Sequence, residues 1–87
     1  MTVSAAIADV SKRLSEELSS LVVHDPVSHV YDPTAYAWRS HRAYLKFARR
    51  GTDALLLGMN PGPWGMVQTG VPFGEVAHVR DFLGINE

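Results

Sequence analysis

The group in this sequence that is best placed to do chemistry is the side-chain amide of an asparagine. Asn60 closely follows the apolar run 54–57, which has the length and composition of a strand buried on both faces of a parallel sheet. It also opens residues 60–74, a segment with three prolines and four glycines and no helical period. Ligands of open α/β sheets bind at the carboxyl ends of the strands, so Asn60 is a candidate catalytic residue.

The same segment lacks the two common phosphate-binding patterns. A Walker loop continues its second glycine with Lys-Ser or Lys-Thr, whereas Gly70 is followed by Val-Pro. A dinucleotide fingerprint needs a Gly-x-Gly pair, whereas residues 62–65 are Gly-Pro-Trp-Gly and Pro63 has no amide to donate. The absence of cysteine excludes a thiolate zinc site and a Cys nucleophile, and the histidines lack metal-ligand spacing. These residues therefore predict neither a thiolate or histidine metal site nor one of the two phosphate-binding loops.

An asparagine favours a particular kind of reaction. The amide is a poor general base, so it suits an electrophile so reactive that water needs orientation more than deprotonation. Cleavage of a nucleoside's glycosidic bond is of that kind, because an oxocarbenium-like sugar forms as the base leaves. Phe73, in a Pro-Phe-Gly turn, offers a ring on which a base taken out of the stack can lie. At this point a turn-forming asparagine and a core aromatic ring remain the alternatives.

Helical patterns surround this segment. Apolar residues recur every three or four positions over residues 3–21, which predicts an amphipathic helix whose apolar stripe belongs to the core. Asp32 before a proline is a helix start, and a second helix is predicted over residues 33–50. A last helix is predicted over residues 76–83, ended by Gly84.

These elements predict an α/β fold that is incomplete. A strand buried on both faces needs neighbouring strands to satisfy its backbone groups, and no second strand is evident. The 87 residues, 46% hydrophobic and 20% charged, fit one domain at most. We expect residues 1–23 to form a leading helix and residues 24–87 to be the N-terminal part of a longer domain. The chain has no membrane-length apolar run and no targeting pattern, which predicts a soluble, untargeted protein.

Positive charge is concentrated in one part of the chain. The formal net charge of −1 argues against a polyanion binder of the basic-tail kind. Yet residues 33–52 carry five of the eight cations and no acid. Four of these cations follow helical spacing and could approach phosphates, although a solvated face is favoured: Arg39, Arg42, Lys46 and Arg49.

The segment around Asn60 resembles a known family. Residues 57–76, LGMNPGPWGMVQTGVPFGEV, closely resemble the first active-site motif of the single-strand-selective monofunctional uracil-DNA glycosylases. The likeness extends over about residues 30–85, through Tyr31-Asp32-Pro33, Tyr36-Ala37-Trp38, His41-Arg42 and residues 79–85. It implies a three-layer α/β/α domain with a parallel sheet, in a base-excision-repair enzyme that removes uracil and some oxidised pyrimidines from DNA without metal or cofactor. It also implies an intracellular protein, nuclear in a eukaryote or in the cytoplasm and nucleoid of a bacterium, and monomeric at full length.

The resemblance assigns roles to individual residues. Asn60 would position the attacking water, Phe73 would stack on the flipped base, and Met59 would contact that base through its main chain. Gly62 and Met66 bound the stretch that would form the pocket wall near the C5 edge of the pyrimidine.

The sequence also departs from the family pattern. Trp64 stands where the family usually has Phe, a difference that would alter the pocket wall. The family's base-reading Asn and its His-Pro-Ser motif follow further downstream and are not among these residues, and His78 on the last predicted helix cannot replace the catalytic His. We therefore expect the isolated chain to be inactive. The competing hypothesis is a truncated or degenerate homologue that binds nucleic acid or a partner chain without cleaving.

Overall fold

The computed structural model describes residues 2–86 as a set of short helices joined by extended segments. The elements are α1 (Val3–Ser19), α2 (Pro33–Tyr36), α3 (Trp38–Leu45), α4 (Met66–Thr69) and a π-helical turn (His78–Phe82). Residues 21–31 and 51–61 are exposed and contain neither helix nor strand. None of the helices in the described part of the chain is long and apolar enough to cross a membrane.

The predicted α/β fold with a parallel sheet is wrong for these residues. No strand occurs between residues 2 and 86, and the run 54–57 is extended and solvent-exposed, with Leu55 87% and Leu57 89% accessible. A strand needs a neighbour to receive its N–H and C=O groups, and the described residues supply none. The three-layer α/β/α expectation is therefore corrected to helices packed around a small core.

Helix α1 begins at the predicted residue but packs through a different face. The Thr2 hydroxyl accepts a hydrogen bond from the Ala5 amide and caps the helix. Ala8 is buried, and α1 contacts α2 and α3 on the side that carries Ala8 and several serines. The predicted core stripe is instead exposed at Ile7, Val10, Leu14 and Leu18. Amphipathic spacing identifies an apolar face but not the surface that covers it.

The helix predicted over residues 33–50 is two shorter helices. Asp32 caps α2 as predicted, its carboxylate accepting from the Thr34 amide at 3.0 Å. The backbone leaves helical geometry at Ala37, with φ −107° and ψ 31°, and α3 then ends at Leu45. Phe47, the next large apolar side chain, is exposed, so no tertiary packing supports a longer helix.

The core lies between α3 and the C-terminal residues. Val71, Val79 and Ile85 are buried against one another. Half-buried apolar side chains pack around them: Ala43, Tyr44 and Leu83. Val71 is fully buried and belongs to residues 60–74, the segment that carries the candidate residues. The core therefore fixes one part of that segment.

The last predicted helix is present over residues 76–82, and its greater part, His78–Phe82, is a π-helical turn. The Leu83 amide donates to the His78 carbonyl five residues earlier, at 3.1 Å. Gly84 has φ +70° and ends the turn in the left-handed conformation, as predicted. The chain then reverses so that the Ile85 amide donates to the Val79 carbonyl at 3.0 Å, which places Ile85 in the core.

Candidate active site

Asn60 and Met59 lie on an open part of the surface. Both residues are exposed, and the Met59 side chain is fully accessible. The Asn60 amide nitrogen donates to the Pro61 carbonyl at 3.4 Å, a long and therefore weak hydrogen bond. The Asn60 amide is thus presented to solvent by the chain that follows the apolar run.

Phe73 lies in a tight and unusual turn. The Gly74 amide donates to the Val71 carbonyl at 2.9 Å, which closes the turn around Phe73. Phe73 itself has φ +57°, a conformation that is a genuine outlier for a bulky side chain. Its ring is 65% exposed, so Phe73 is not a core aromatic residue. The turn presents the ring to solvent, where a planar base can reach it.

The Phe73 ring lies against the backbone of Gly58. A Cβ atom built on Gly58 would stand 3.3 Å from the ring Cζ atom, closer than most real contacts of that kind. Because Gly58 is two residues before Asn60, this contact brings the aromatic ring to the segment that carries the catalytic candidate. The structure therefore brings together the Phe73 turn and the 58–60 segment, which are far apart in sequence.

The predicted pocket wall is a compact turn leading into α4. The Gly62 carbonyl accepts from the amides of Gly65 and Val67 at 3.2 and 3.1 Å, and Met66 is the first residue of α4 and half-buried. A Cβ atom on Gly65 would lie 3.8 Å from the backbone of Gly74. The wall and the Phe73 turn are therefore in close backbone contact.

A buried histidine supports this arrangement from behind. His41 is buried, and its Nδ1 atom is 2.8 Å from the Gly70 carbonyl while its Nε2 atom is 3.1 Å from the Ser11 hydroxyl. A carbonyl only accepts, so Nδ1 carries a proton and donates to Gly70. His41 is thus a hydrogen-bonded internal residue, and it connects α1 and α3 to the start of the Phe73 turn.

Polar groups on α2 also hold the neighbouring elements. The Tyr36 hydroxyl donates to the Val67 carbonyl on α4. Burial raises the pKa of Tyr36, with smaller contributions from Tyr31 and Asp32. Burial would raise the pKa of Asp32 as well, but hydrogen bonds from Ser15 and Thr34 outweigh it and lower that pKa below its usual value. Asp32 therefore caps α2 as an anion at neutral pH.

The predicted stripe of cations does not form one face. The Arg42 guanidinium donates to the Ser4 hydroxyl on α1 at 2.8 Å and is half-buried. Arg39 is exposed near the start of α3, whereas Lys46 and Arg49 follow the end of that helix. Arg42 therefore connects α3 to α1, and the four cations do not all lie on one continuous helix.

A large cavity among the described residues is separate from Asn60 and Phe73. This cavity of about 660 Å³ lies between α2, α3 and the C-terminal turn, and its lining includes Trp38, Gln68 and Val79 but neither Asn60 nor Phe73. No group of three or more His, Asp or Glu side chains suited to a metal is present among residues 2–86. The candidate site is an exposed surface on which one aromatic ring and one amide are presented.

Three supporting residues were not predicted as part of the site. Gly58 is one of them, because the Phe73 ring lies close to the place that a side chain at position 58 would take. His41 was noted only as part of a family-like pair, since its contact with Gly70 depends on tertiary structure. Thr69 is buried and hydrogen-bonds within the Phe73 turn, and its position just before a Gly-Val-Pro-Phe-Gly sequence is the one local signal of that role.

Comparison with known proteins identifies the relatives of this chain. It is 55% identical over 74 residues to a single-strand selective monofunctional uracil-DNA glycosylase of Rattus norvegicus, and 54% and 53% identical to those of Mus musculus and Bos taurus. The chain is homologous to these glycosylases. Each match covers 84% of this chain and 26% or 27% of the relative. No protein-family model matches the chain.

The comparison confirms the resemblance inferred from residues 57–76. This glycosylase homologue spans about a quarter of the length of the curated relatives it matches. The described geometry therefore concerns the segment that carries the candidate residues Asn60 and Phe73. The roles of the individual site residues remain predictions.

Proposed function

We propose that these residues form the first active-site segment of a monofunctional uracil-DNA glycosylase of base-excision repair. The enzyme would hydrolyse the N-glycosidic bond of uracil and related oxidised pyrimidines in single- or double-stranded DNA. The observation that carries the proposal is the identity of 53% to 55% to three mammalian proteins with that name. The local geometry supports it, because the exposed Phe73 ring lies close to Gly58, on the exposed segment that also carries the Asn60 amide.

In the proposed reaction, Asn60 orients the attacking water. Water adds to C1′ of the sugar while the bond between C1′ and the base breaks, and the bonding electrons leave with the base. The proton that the water loses is balanced by the one that the departing base anion takes up from solvent. The sugar passes through an oxocarbenium-like state that water attacks readily, so orientation of the water contributes more than deprotonation. The Asn60 amide is exposed and only weakly bonded to Pro61, so it can turn toward such a water.

The remaining candidates would hold the flipped base. Phe73 offers a largely exposed ring for stacking, and the main chain at Met59 is next to Gly58, on which that ring lies. Gly62 and Met66 bound the turn that contacts the Phe73 turn, which suits a wall near the edge of the same base. Proposed partners are therefore DNA molecules that contain uracil or an oxidised pyrimidine, met inside the cell by a monomeric enzyme.

The first experiment measures uracil release from single-stranded DNA by the protein at the length its gene encodes, called here the natural-length protein. Asn60→Ala should lower the single-turnover rate about a hundredfold while DNA affinity changes much less, because the amide acts on water in the transition state. Asn86→Ala replaces another exposed asparagine far from Asn60 in sequence and is the matched control. Equal losses in rate and affinity for Asn60→Ala would assign Asn60 to DNA binding.

The second experiment tests the aromatic ring. Phe73→Ala should weaken capture of uracil-containing DNA by about 1 to 3 kcal/mol, the usual contribution of base stacking on an aromatic side chain. Phe47→Ala removes a ring of similar exposure outside the site and should leave capture unchanged. Unchanged capture by Phe73→Ala would remove Phe73 from the site.

The isolated 87-residue chain should release no uracil, because its site is open and lacks the groups that stabilise the departing base. If the natural-length protein also binds uracil-containing DNA without releasing uracil, the protein is a non-catalytic homologue and the proposal is wrong.

A further inference from the structure

The Phe73 turn has a conformation that must be enforced by its surroundings. A φ of +57° is strained for a non-glycine residue, and such a conformation persists only where neighbouring contacts determine it. Phe73 is 65% exposed, and its neighbour Gly58 belongs to the exposed segment 51–61, so packing of the side chain supplies little of that restraint. The restraint must come from the residues that flank Phe73.

The Thr69 hydroxyl contacts the chain on both sides of Phe73. It accepts a hydrogen bond from the Val71 amide at 3.1 Å and donates to the Gly74 carbonyl at 2.6 Å. Thr69 is 8% exposed, so water competes little for these bonds. One hydroxyl thus joins the backbone two residues before Phe73 to the backbone one residue after it.

The backbone on both sides of Phe73 is also restrained by Val71 and Gly74. Val71 is fully buried in the core, and its carbonyl accepts from the Gly74 amide at 2.9 Å. A Cβ atom on Gly74 would stand 2.7 Å from both Val71 and Val79, so the backbone is pressed onto the core. Loss of the hydroxyl would leave the Val71 amide and the Gly74 carbonyl without this partner, and the turn would relax to pair them elsewhere.

We propose that Thr69 is a positioning residue that holds the Phe73 ring in its base-stacking position. The inference rests on the proposed function and adds to it a residue that touches neither base nor water. Thr69 acts through its hydroxyl on the backbone that carries Phe73. Removal of the Thr69 hydroxyl should therefore weaken capture of the base. The loss should be no larger than the loss caused by removing the Phe73 ring.

The test compares two substitutions of Thr69 in the natural-length protein. Thr69→Val keeps the shape and removes the hydroxyl, whereas Thr69→Ser keeps the hydroxyl. Single-turnover uracil release is measured over a range of enzyme concentrations on single-stranded DNA. Thr69→Val should raise the half-saturating concentration several-fold with little change in the maximal rate, and Thr69→Ser should remain within about twofold of the wild type.

A double-mutant cycle with Phe73→Ala distinguishes positioning from general stability. If Thr69 acts through the ring, Thr69→Val should have no further effect on half-saturation once Phe73 is alanine. An equal effect in both backgrounds would overturn the inference, as would a loss in Thr69→Ser that matches Thr69→Val. If Thr69→Val does not fold, Thr69→Cys, with its weak donor, replaces it under the same criteria.

The outcomes also separate this inference from the proposed function. A wild-type protein that releases no uracil would refute the proposed function and the inference together. A wild-type protein that releases uracil, with Thr69→Val identical to it, would refute the inference alone.

Discussion

Gly70 offers a sharp test of how the candidate site is packed. It has φ +74°, and a Cβ atom there would stand 2.8 Å from the Ala37 carbonyl oxygen and 2.9 Å from the Ala37 Cβ. Neither of these atoms is the flexible end of a side chain. Gly70→Ala therefore introduces both a left-handed alanine and a clash against the junction of α2 and α3.

The two costs can be separated by a control. Gly84 has φ +70° with nothing within 4 Å of its Cβ position, and the buried Ile85 that follows holds it in place. Gly84→Ala should thus show only the left-handed strain, about 1 to 2 kcal/mol. Gly70→Ala adds overpacking against fixed atoms, about 1 to 3 kcal/mol, for a total of about 2 to 5 kcal/mol. The effect of each substitution on the unfolded chain is common to both and cancels in the difference.

The assay is urea-induced unfolding of the natural-length protein, followed by far-UV circular dichroism. Gly62→Ala, at a position with ordinary φ and open space around it, is the second control and should change the free energy of unfolding least. Equal losses for Gly70→Ala and Gly84→Ala would refute the close approach of Gly70 to Ala37, and with it the described support of the Phe73 turn.

Two further predictions concern a helix cap and the pocket wall. Asp32→Ala should cost about 1 kcal/mol at pH 7. The pKa of Asp32 is lower in the folded protein than the ordinary value of 3.8. The contribution of Asp32 to the free energy of unfolding is therefore present above pH 3.8 and is lost as the pH falls through the pKa of the folded state. The unfolding curves of wild type and variant should thus converge below about pH 4. Trp64 is largely exposed, and Trp64→Phe should relax selection against C5-substituted uracils about ten-fold in single-turnover rates on uracil and 5-hydroxymethyluracil. An unchanged ratio of the rates on the two bases would place Trp64 away from the base. For Asp32, unfolding curves of wild type and variant that stay parallel down to pH 3 would contradict its assignment as an ionised helix cap.

Local features of this chain were predictable because short-range chemistry determines them. Asp32 caps a helix that begins with proline, and Gly84 takes the left-handed conformation after the last helical turn. Both depend on interactions within a few residues. The position of Asn60 on an exposed segment followed from the prolines and glycines around it in the same way.

The errors concern features that depend on partners distant in sequence. The apolar run 54–57 has strand composition, but a strand exists only where another receives its hydrogen bonds. The apolar stripe of α1 was assigned to the core, whereas the helix packs through Ala8 and serines whose partners lie about 17 to 38 residues away. The contact between Phe73 and Gly58 is equally non-local, so the family resemblance could indicate that both matter but not that they touch.

The serine contacts of α1 also determine how that helix can be placed. Ser4, Ser11 and Ser15 bond to Arg42, His41 and Asp32, respectively. Each bond contributes only about 1 kcal/mol net, but the three point in fixed directions along one line of the helix. A slide by one turn, about 5.4 Å, or a rotation by one residue would break all three together. The three hydroxyls therefore determine both the position of α1 along its axis and its rotation about that axis. A uniform apolar contact would allow the helix to slide and would determine neither.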